Sequence, residues 1–171
     1  MTAQPLTFSF KDDGKVPNNP VLPMLVYKKA LDLGTNPESA IEKLFAKNGW
    51  GRGQWRNGIF PYPHYHSMIH EALGIARGRA RVRFGGAQGE ELDVEAGDVA
   101  VLPAGTGHQR LSGSDDLLVI GAYPPEGTYN LCRADNPADR EAALLTIPKV
   151  PVPDSDPVAG NGGPLTKLWR R

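Results

Sequence analysis

The sequence predicts an all-β fold, a small antiparallel sandwich or barrel, and three observations carry that expectation. The chain has 20 glycines and 16 prolines in 171 residues, too much conformational punctuation for a helical bundle or coiled coil. Its middle alternates apolar and polar residues in short runs separated by Gly, Pro and Asp, the pattern of successive short strands. Finally, Arg79 to Glu95 folds onto itself on paper. With Gly85 to Gly89 as the loop and Phe84 opposite Glu90, Arg83 meets Glu91, Val82 meets Leu92, Arg81 meets Asp93, Ala80 meets Val94 and Arg79 meets Glu95. Charges face opposite charges and apolar residues face apolar ones.

Taken in order, residues 1–24 are rich in Pro and Asn and read as an extended arm with turns rather than as core. Asn36-Pro37 has the form of an N-cap followed by proline at the first helical position, with Glu38 in the first turn. Ile41, Leu44 and Phe45 recur at helical spacing and Gly49 stops the run, so a short helix is expected over 37–48. The barrel is placed at about 50–130, with further strands at Val99 to Leu102 and Leu117 to Tyr123. A second helix opens in the same way at Asn136-Pro137, with Asp139 and Glu141 early and Leu144 and Leu145 late. Residues 146–171 hold Pro148, Pro151, Pro153, Pro157 and Pro164, and read as an ordered extended arm because Val150, Val152, Leu165, Leu168 and Trp169 need somewhere to dock. One domain is expected from the length.

Nineteen Lys plus Arg balance nineteen Asp plus Glu. That removes the basic field of a nucleic-acid or anionic-membrane binder. The stripe Arg79, Arg81, Arg83 fits the hairpin as a solvated face of cross-strand ion pairs, each worth about 0.2 to 1 kcal/mol. The single cysteine, Cys132, reads as a small buried hydrophobe, since it has no partner for an intrachain disulfide. Met1 to Pro5 has no cationic region leading into an apolar stretch, and a cytoplasmic location is expected. Trp50, Trp55 and Trp169 are assigned to core or subunit contacts.

Of the four histidines, His64, His66 and His70 fall within seven residues and His108 stands apart. His64-Tyr65-His66 puts two imidazoles on one face of a strand, where two nitrogen donors suit a metal. Glu71 has the opposite parity to His66, so a turn or bulge through Ser67 to His70 must intervene. Leu73 and Ile75 share the face of Glu71 and make it the inner one, which sends His70 outward. A different ligand set, His66 and His70 with Glu71, stays open beside this one. Tyr62, Tyr65 and Gln109 flank these residues and read as packing.

Two segments resemble the two motifs of the cupin superfamily. Gly58, His64, His66, Glu71 and Gly78 have the spacing of the first, and Gly97, Pro103, Gly105 and His108 that of the second, with Ser112 where the pattern usually has Asn. The resemblance covers about Gly58 to Tyr123. The phrases around His66 to Gly74 and Pro103 to His108, with the Asp156-Pro157-Val158 and Gly163-Pro164-Leu165 tail, are similar to the uncharacterised YjlB-like bacterial cupins. What the resemblance implies is an antiparallel jelly roll with a site in its mouth. The motif residues His64, His66, Glu71 and His108 form a mixed N/O donor set suited to one divalent transition metal, Fe, Mn, Ni, Cu or Zn, with one or two positions open.

The expected function is that of a metal-dependent enzyme, of oxygenase or isomerase type, acting on a small polar molecule through direct coordination of substrate or oxygen, with Glu71 as ligand rather than acid-base. The alternative is a binding or sensing module in which the metal holds a small effector and no bond is broken. A second titratable group aimed at the open metal position would separate the two, and the sequence identifies none. Cupin jelly rolls commonly pair, and the apolar groups of the arms are many, so a homodimer is expected.

Overall fold

The computed structural model describes residues 4–171. In chain order the elements are β1 (Leu6–Phe8), β2 (Met24–Tyr27), α1 (Pro37–Lys47), β3 (Arg52–Asn57), β4 (His64–Tyr65), β5 (Glu71–Arg77), β6 (Arg79–Phe84) and β7 (Glu90–Glu95). They continue with β8 (Val99–Leu102), β9 (His108–Gly113), β10 (Leu118–Tyr123), β11 (Cys132–Arg133), α2 (Pro137–Thr146), β12 (Ser155–Asp156), β13 (Gly160–Asn161) and the single turn α3 (Pro164–Leu168). Asn36 caps α1 by accepting from the Ser39 N–H, and Asn136 caps α2 by accepting from Ala138. Both helices begin at proline, which has no N–H to leave unpaired.

One sheet runs in the order β1-β2-β8-β5-β10-β3 and the other β11-β4-β9-β6-β7, every pairing antiparallel. They face each other as a jelly roll. Apart from β1–β2 and the β6–β7 hairpin, neighbours in each sheet are not consecutive in the chain, as this topology requires. Inward residues of both sheets meet in one core: Met24 and Val26 of β2, Leu73 and Ile75 of β5, and Leu102 of β8 against Val82 and Phe84 of β6 and Val94 of β7. The β6–β7 register runs from Arg79 opposite Glu95 to Phe84 opposite Glu90, as the charge pattern predicts. Arg83 lies 2.8 Å from Glu91, and Arg81 lies 3.1 Å from Asp93 and 3.3 Å from Glu91, so the stripe is a paired, solvated face.

The larger sheet is buried on its other face too. Leu25, Tyr27, Ala72, Val99, Val101 and Ile120 join Ile41 and Phe45 of α1 and Leu165 and Trp169 of the tail in a second core. Strands buried on both faces lose polar alternation, and β5 is buried from Glu71 to Ala76. Gly74 lets α1 approach: a Cβ there would stand 2.7 Å from Ile41 Cγ2.

Three expectations change. The barrel does not start near residue 50, because β2 sits between β1 and β8 within the larger sheet. The N-terminal segment is extended, as its prolines demand, yet Val16 and Leu22 are buried in it and act as core. His70 does point away from the inner face, but not into water. It is wholly buried against Trp169 (ring centroids 4.8 Å apart), its Nδ1 accepts from the Ala104 N–H at 2.8 Å, and its Nε2 lies 3.0 Å from the Pro151 carbonyl.

The tail is what covers it. Trp169 Nε1 donates to Pro23 O and Trp50 Nε1 to Ser155 O, each at 2.8 Å. Buried Asp156 accepts from the Tyr27 hydroxyl and from the backbone N–H groups of Val158, Ala159 and Leu165. Burial and the Asp156 carboxylate push the Tyr27 phenol far up, so it stays a donor. Val150, Leu165 and Trp169 are therefore buried by their own chain and need no partner subunit, while Leu168 stays partly exposed. Among the described residues no helix is long and apolar enough to cross a membrane.

Trp169→Ala should cost about 3 to 5 kcal/mol in denaturant unfolding, as truncation of a buried indole does. Arg81→Ala on the solvated face should cost less than about 1 kcal/mol. Burial lowers His70 from 6.5 to about 3. A group depressed in the folded state binds its proton more readily when unfolded, so its contribution to stability is present above 6.5 and lost as pH falls toward 3. The urea midpoint should fall on acidification over this range, and less steeply in His70→Gln, which does not titrate.

Candidate metal centre

The centre is built where the mouths of both sheets meet. β4 and β9 place His64 directly opposite His108, with ring centroids 4.0 Å apart. His66 follows by one alternation, its ring 5.9 Å from His64 and 5.5 Å from His108. The bends from Ser67 to Ile69 turn the chain into β5, whose first residue is Glu71, paired with Leu102 of β8. This is the break in parity that the sequence required.

The second-motif turn is held from two sides. Gly105 donates its N–H to His66 O at 2.7 Å. It has φ of +97°, and a Cβ would stand 2.6 Å from Asn18 O, so only glycine suits the position. Asn18, buried in the N-terminal segment, accepts from the Gly107 N–H at 3.1 Å and donates to Gly85 O at 3.0 Å.

The imidazoles are oriented by backbone carbonyls: His64 Nδ1 lies 2.9 Å from Tyr62 O, His66 Nδ1 2.6 Å from Asn130 O, and His108 Nδ1 3.1 Å from Thr106 O. A carbonyl oxygen only accepts, so each Nδ1 carries the proton and Nε2 is the nitrogen left for the centre. The three histidines offer ligand atoms within 4.8 Å of one another. Glu71 enters the same space, with Oε2 3.3 Å from His66 Nε2 and Oε1 3.3 Å from His108 Nε2. Oε2 also accepts from the Tyr123 hydroxyl at 3.0 Å, while buried Oε1 has no hydrogen-bond partner among the described residues.

Charge follows from burial. Desolvation, helped by the neighbouring His108, pushes His64 down to about 3. Desolvation also opposes charge on His66, but the Glu71 carboxylate and the Asn130 carbonyl outweigh it and hold His66 above the usual imidazole range. Burial alone would raise Glu71, yet His66 and His108 hold it well below the carboxylate range. Burial and Glu71 raise the Tyr123 phenol, which therefore donates.

The donor set fits a divalent transition ion. Glu71 Oε1, buried without a hydrogen-bond partner among the described residues, faces His108 Nε2 at 3.3 Å, and a metal cation held by both atoms would satisfy them.

A cavity of about 410 Å³ opens onto these groups, with Trp55, Ile59, Phe60, Ile69 and Leu73 in its walls and Arg52, Tyr123 and Tyr129 also lining it. Gly121 makes room for the Trp55 indole, which a Cβ there would meet at 1.9 Å, and Trp55 Nε1 donates to the Tyr123 hydroxyl at 2.9 Å. Tyr62 stacks on Phe60 and lies under the Arg133 guanidinium, Gln109 donates to Pro61 O, and Tyr65 is buried beside Val16 and Cys132; none of the three lines the cavity.

The sequence reading missed Tyr123, Tyr129, Asn130 and Arg52. Parity could have found Tyr123, since Val119, Gly121 and Tyr123 share the inner face of β10. No periodicity marks Tyr129 and Asn130, which lie in the loop before β11. Asn130 holds His66 with its carbonyl and clamps the following turn with its side chain, accepting from Ser67 N and Met68 N and donating to the Ser67 hydroxyl.

No protein-family model matches the chain. Among solved structures it is similar to acireductone dioxygenase from Bacillus anthracis with a cadmium ion in its active centre, at 17% identity over 61% of this chain and 80% of that one, TM-score 0.42. It is also similar to an uncharacterised Klebsiella pneumoniae protein with a double-stranded β-helix domain, at 14% identity over 80% and 84%, TM-score 0.39. Likenesses this distant speak to neither activity nor substrate. The uncharacterised protein YjlB of Bacillus subtilis is 39% identical over 170 residues, 99% of each chain. With that identity across practically its whole length, two cupin motifs and a jelly-roll topology, the chain belongs to the YjlB family of cupins.

Proposed function

We propose that His64, His66, Glu71 and His108 hold one divalent transition metal ion and that the protein is an enzyme acting on a small molecule bound in the adjoining cavity. The observation that carries this reading is the apposition of Glu71 Oε1 and His108 Nε2 at 3.3 Å, with Oε1 lacking any other partner. An ion of the Fe, Mn, Ni, Cu or Zn class would supply Lewis-acid activation or redox chemistry there.

The chain's own residues do the rest. The three carbonyl anchors aim the imidazoles without help from the ligand. Tyr123 donates to Glu71 and receives from Trp55, which keeps the carboxylate turned toward the histidines. Apolar walls exclude water from the donor groups and strengthen every charge interaction among them.

A purely binding or sensing module is the weaker reading, because the cavity is not lined by apolar groups alone. The phenols of Tyr123 and Tyr129 share it with the histidines, and the Tyr129 ring lies tilted against His66, centroids 5.2 Å apart. These are polar groups that could hydrogen-bond a substrate held beside a metal.

Elemental analysis of anaerobically purified protein should find close to one transition metal per chain. His108→Ala should lose most of it with the fold retained, because apolar residues supply the core, whereas His70→Ala should keep it. Equal loss in both would remove His108 from the centre. Asn130→Ala should weaken metal affinity about 10- to 100-fold, the usual effect of loosening a group that orients a ligand. A metabolite screen on the loaded protein then tests catalysis: a compound bound and returned unchanged would make the chain a binding module.

A further inference from the structure

The cavity has a one-sided charge and a mostly apolar wall, and the two together describe an occupant. Among the described residues Glu71 is the sole carboxylate lining it, whereas Arg52 of β3 lines it as well. Arg52 donates one N–H to Pro125 O at 2.6 Å and makes no ion pair among the described residues, so its other donors are free for a ligand. A divalent ion plus this guanidinium against one carboxylate leaves the space net positive. A guanidinium is also the group best shaped to receive a carboxylate.

Away from the donors the wall is Trp55, Ile59, Phe60, Ile69 and Leu73, with Tyr129 also lining it. Phe60 and Tyr129 are 40% and 53% exposed and line the same cavity, an exposed apolar surface of the kind that marks a ligand site. A fully polar acid would leave these groups wet. At about 30 Å³ for each water-sized unit, the cavity of about 410 Å³ has room for about a dozen non-hydrogen atoms.

We infer that the site takes a small amphipathic acid, a carboxylate carrying an aromatic or branched aliphatic body, with Arg52 and the metal sharing the anionic head and the Trp55–Phe60–Tyr129 side receiving the body. This rests on the metal centre proposed above. The small polar molecule read from the sequence thereby gains an apolar half.

The test uses three probes on metal-loaded protein in calorimetric titration: 3-phenylpropionate, its uncharged amide, and acetate. The acid should bind about tenfold or more tightly than either of the others, since one lacks the charge and the other the body. Arg52→Gln should reduce the preference for acid over amide several-fold, leaving the share that the metal supplies, with metal content unchanged. Tyr129→Ala should weaken 3-phenylpropionate and leave acetate as it was. Amide binding equal to acid overturns the anionic head, acetate equal to 3-phenylpropionate overturns the apolar body, and no binding of any probe at millimolar concentration overturns both. Metal content is read separately, so a chain that takes up no metal refutes the centre, whereas a loaded chain without these preferences refutes only the ligand class.

Discussion

Three Nδ1–H groups given to three main-chain carbonyls set the character of this protein's site. Because Tyr62, Thr106 and Asn130 supply those carbonyls, the aim of each imidazole depends on a loop rather than on a strand. Loops hold a side chain to the tolerance that metal ligation needs only when they are themselves fixed. Much of what surrounds the barrel serves that end: Asn18 of the N-terminal segment ties the turn before His108, and Gly105 joins the same turn to His66. The Asn130 side chain ties the turn after His66.

Glu71 adds a buried carboxylate to this scaffold. A carboxylate buried among imidazoles is a costly arrangement unless positive charge faces it. His66 answers by holding its proton above the ordinary range, and His64 by giving its proton up. The two histidines thus respond in opposite directions to burial, because the Glu71 carboxylate lies against His66.

The second face of the larger sheet explains the rest of the chain. α1 and the tail cover it, and the tail is pinned by Asp156 and two indole N–H groups rather than by apolar contact alone. His70 belongs to this layer. One residue separates a structural histidine that reads the tail from a carboxylate that faces the histidine cluster, because neighbours on a strand point to opposite faces.

Local order was legible in the residues themselves. Helix starts at Asn36-Pro37 and Asn136-Pro137 follow from the capping rules. The hairpin register follows from matching Arg81 and Arg83 to Asp93 and Glu91, since cross-strand pairs act over a few residues. The inward face of Glu71, Leu73 and Ile75 follows from a period of two. Contacts between distant segments were not legible. Nothing in Pro148 to Trp169 announces that it covers His70, nothing in residues 1–24 announces that Asn18 holds a turn 89 residues onward at Gly107, and nothing near Tyr129 announces that it lines one cavity with Trp55. Periodicity and capping are properties of neighbours in sequence, and one chain contains them in full. Which loop lies over which face depends on how two sheets close on each other, and that is settled only when all the strands are paired.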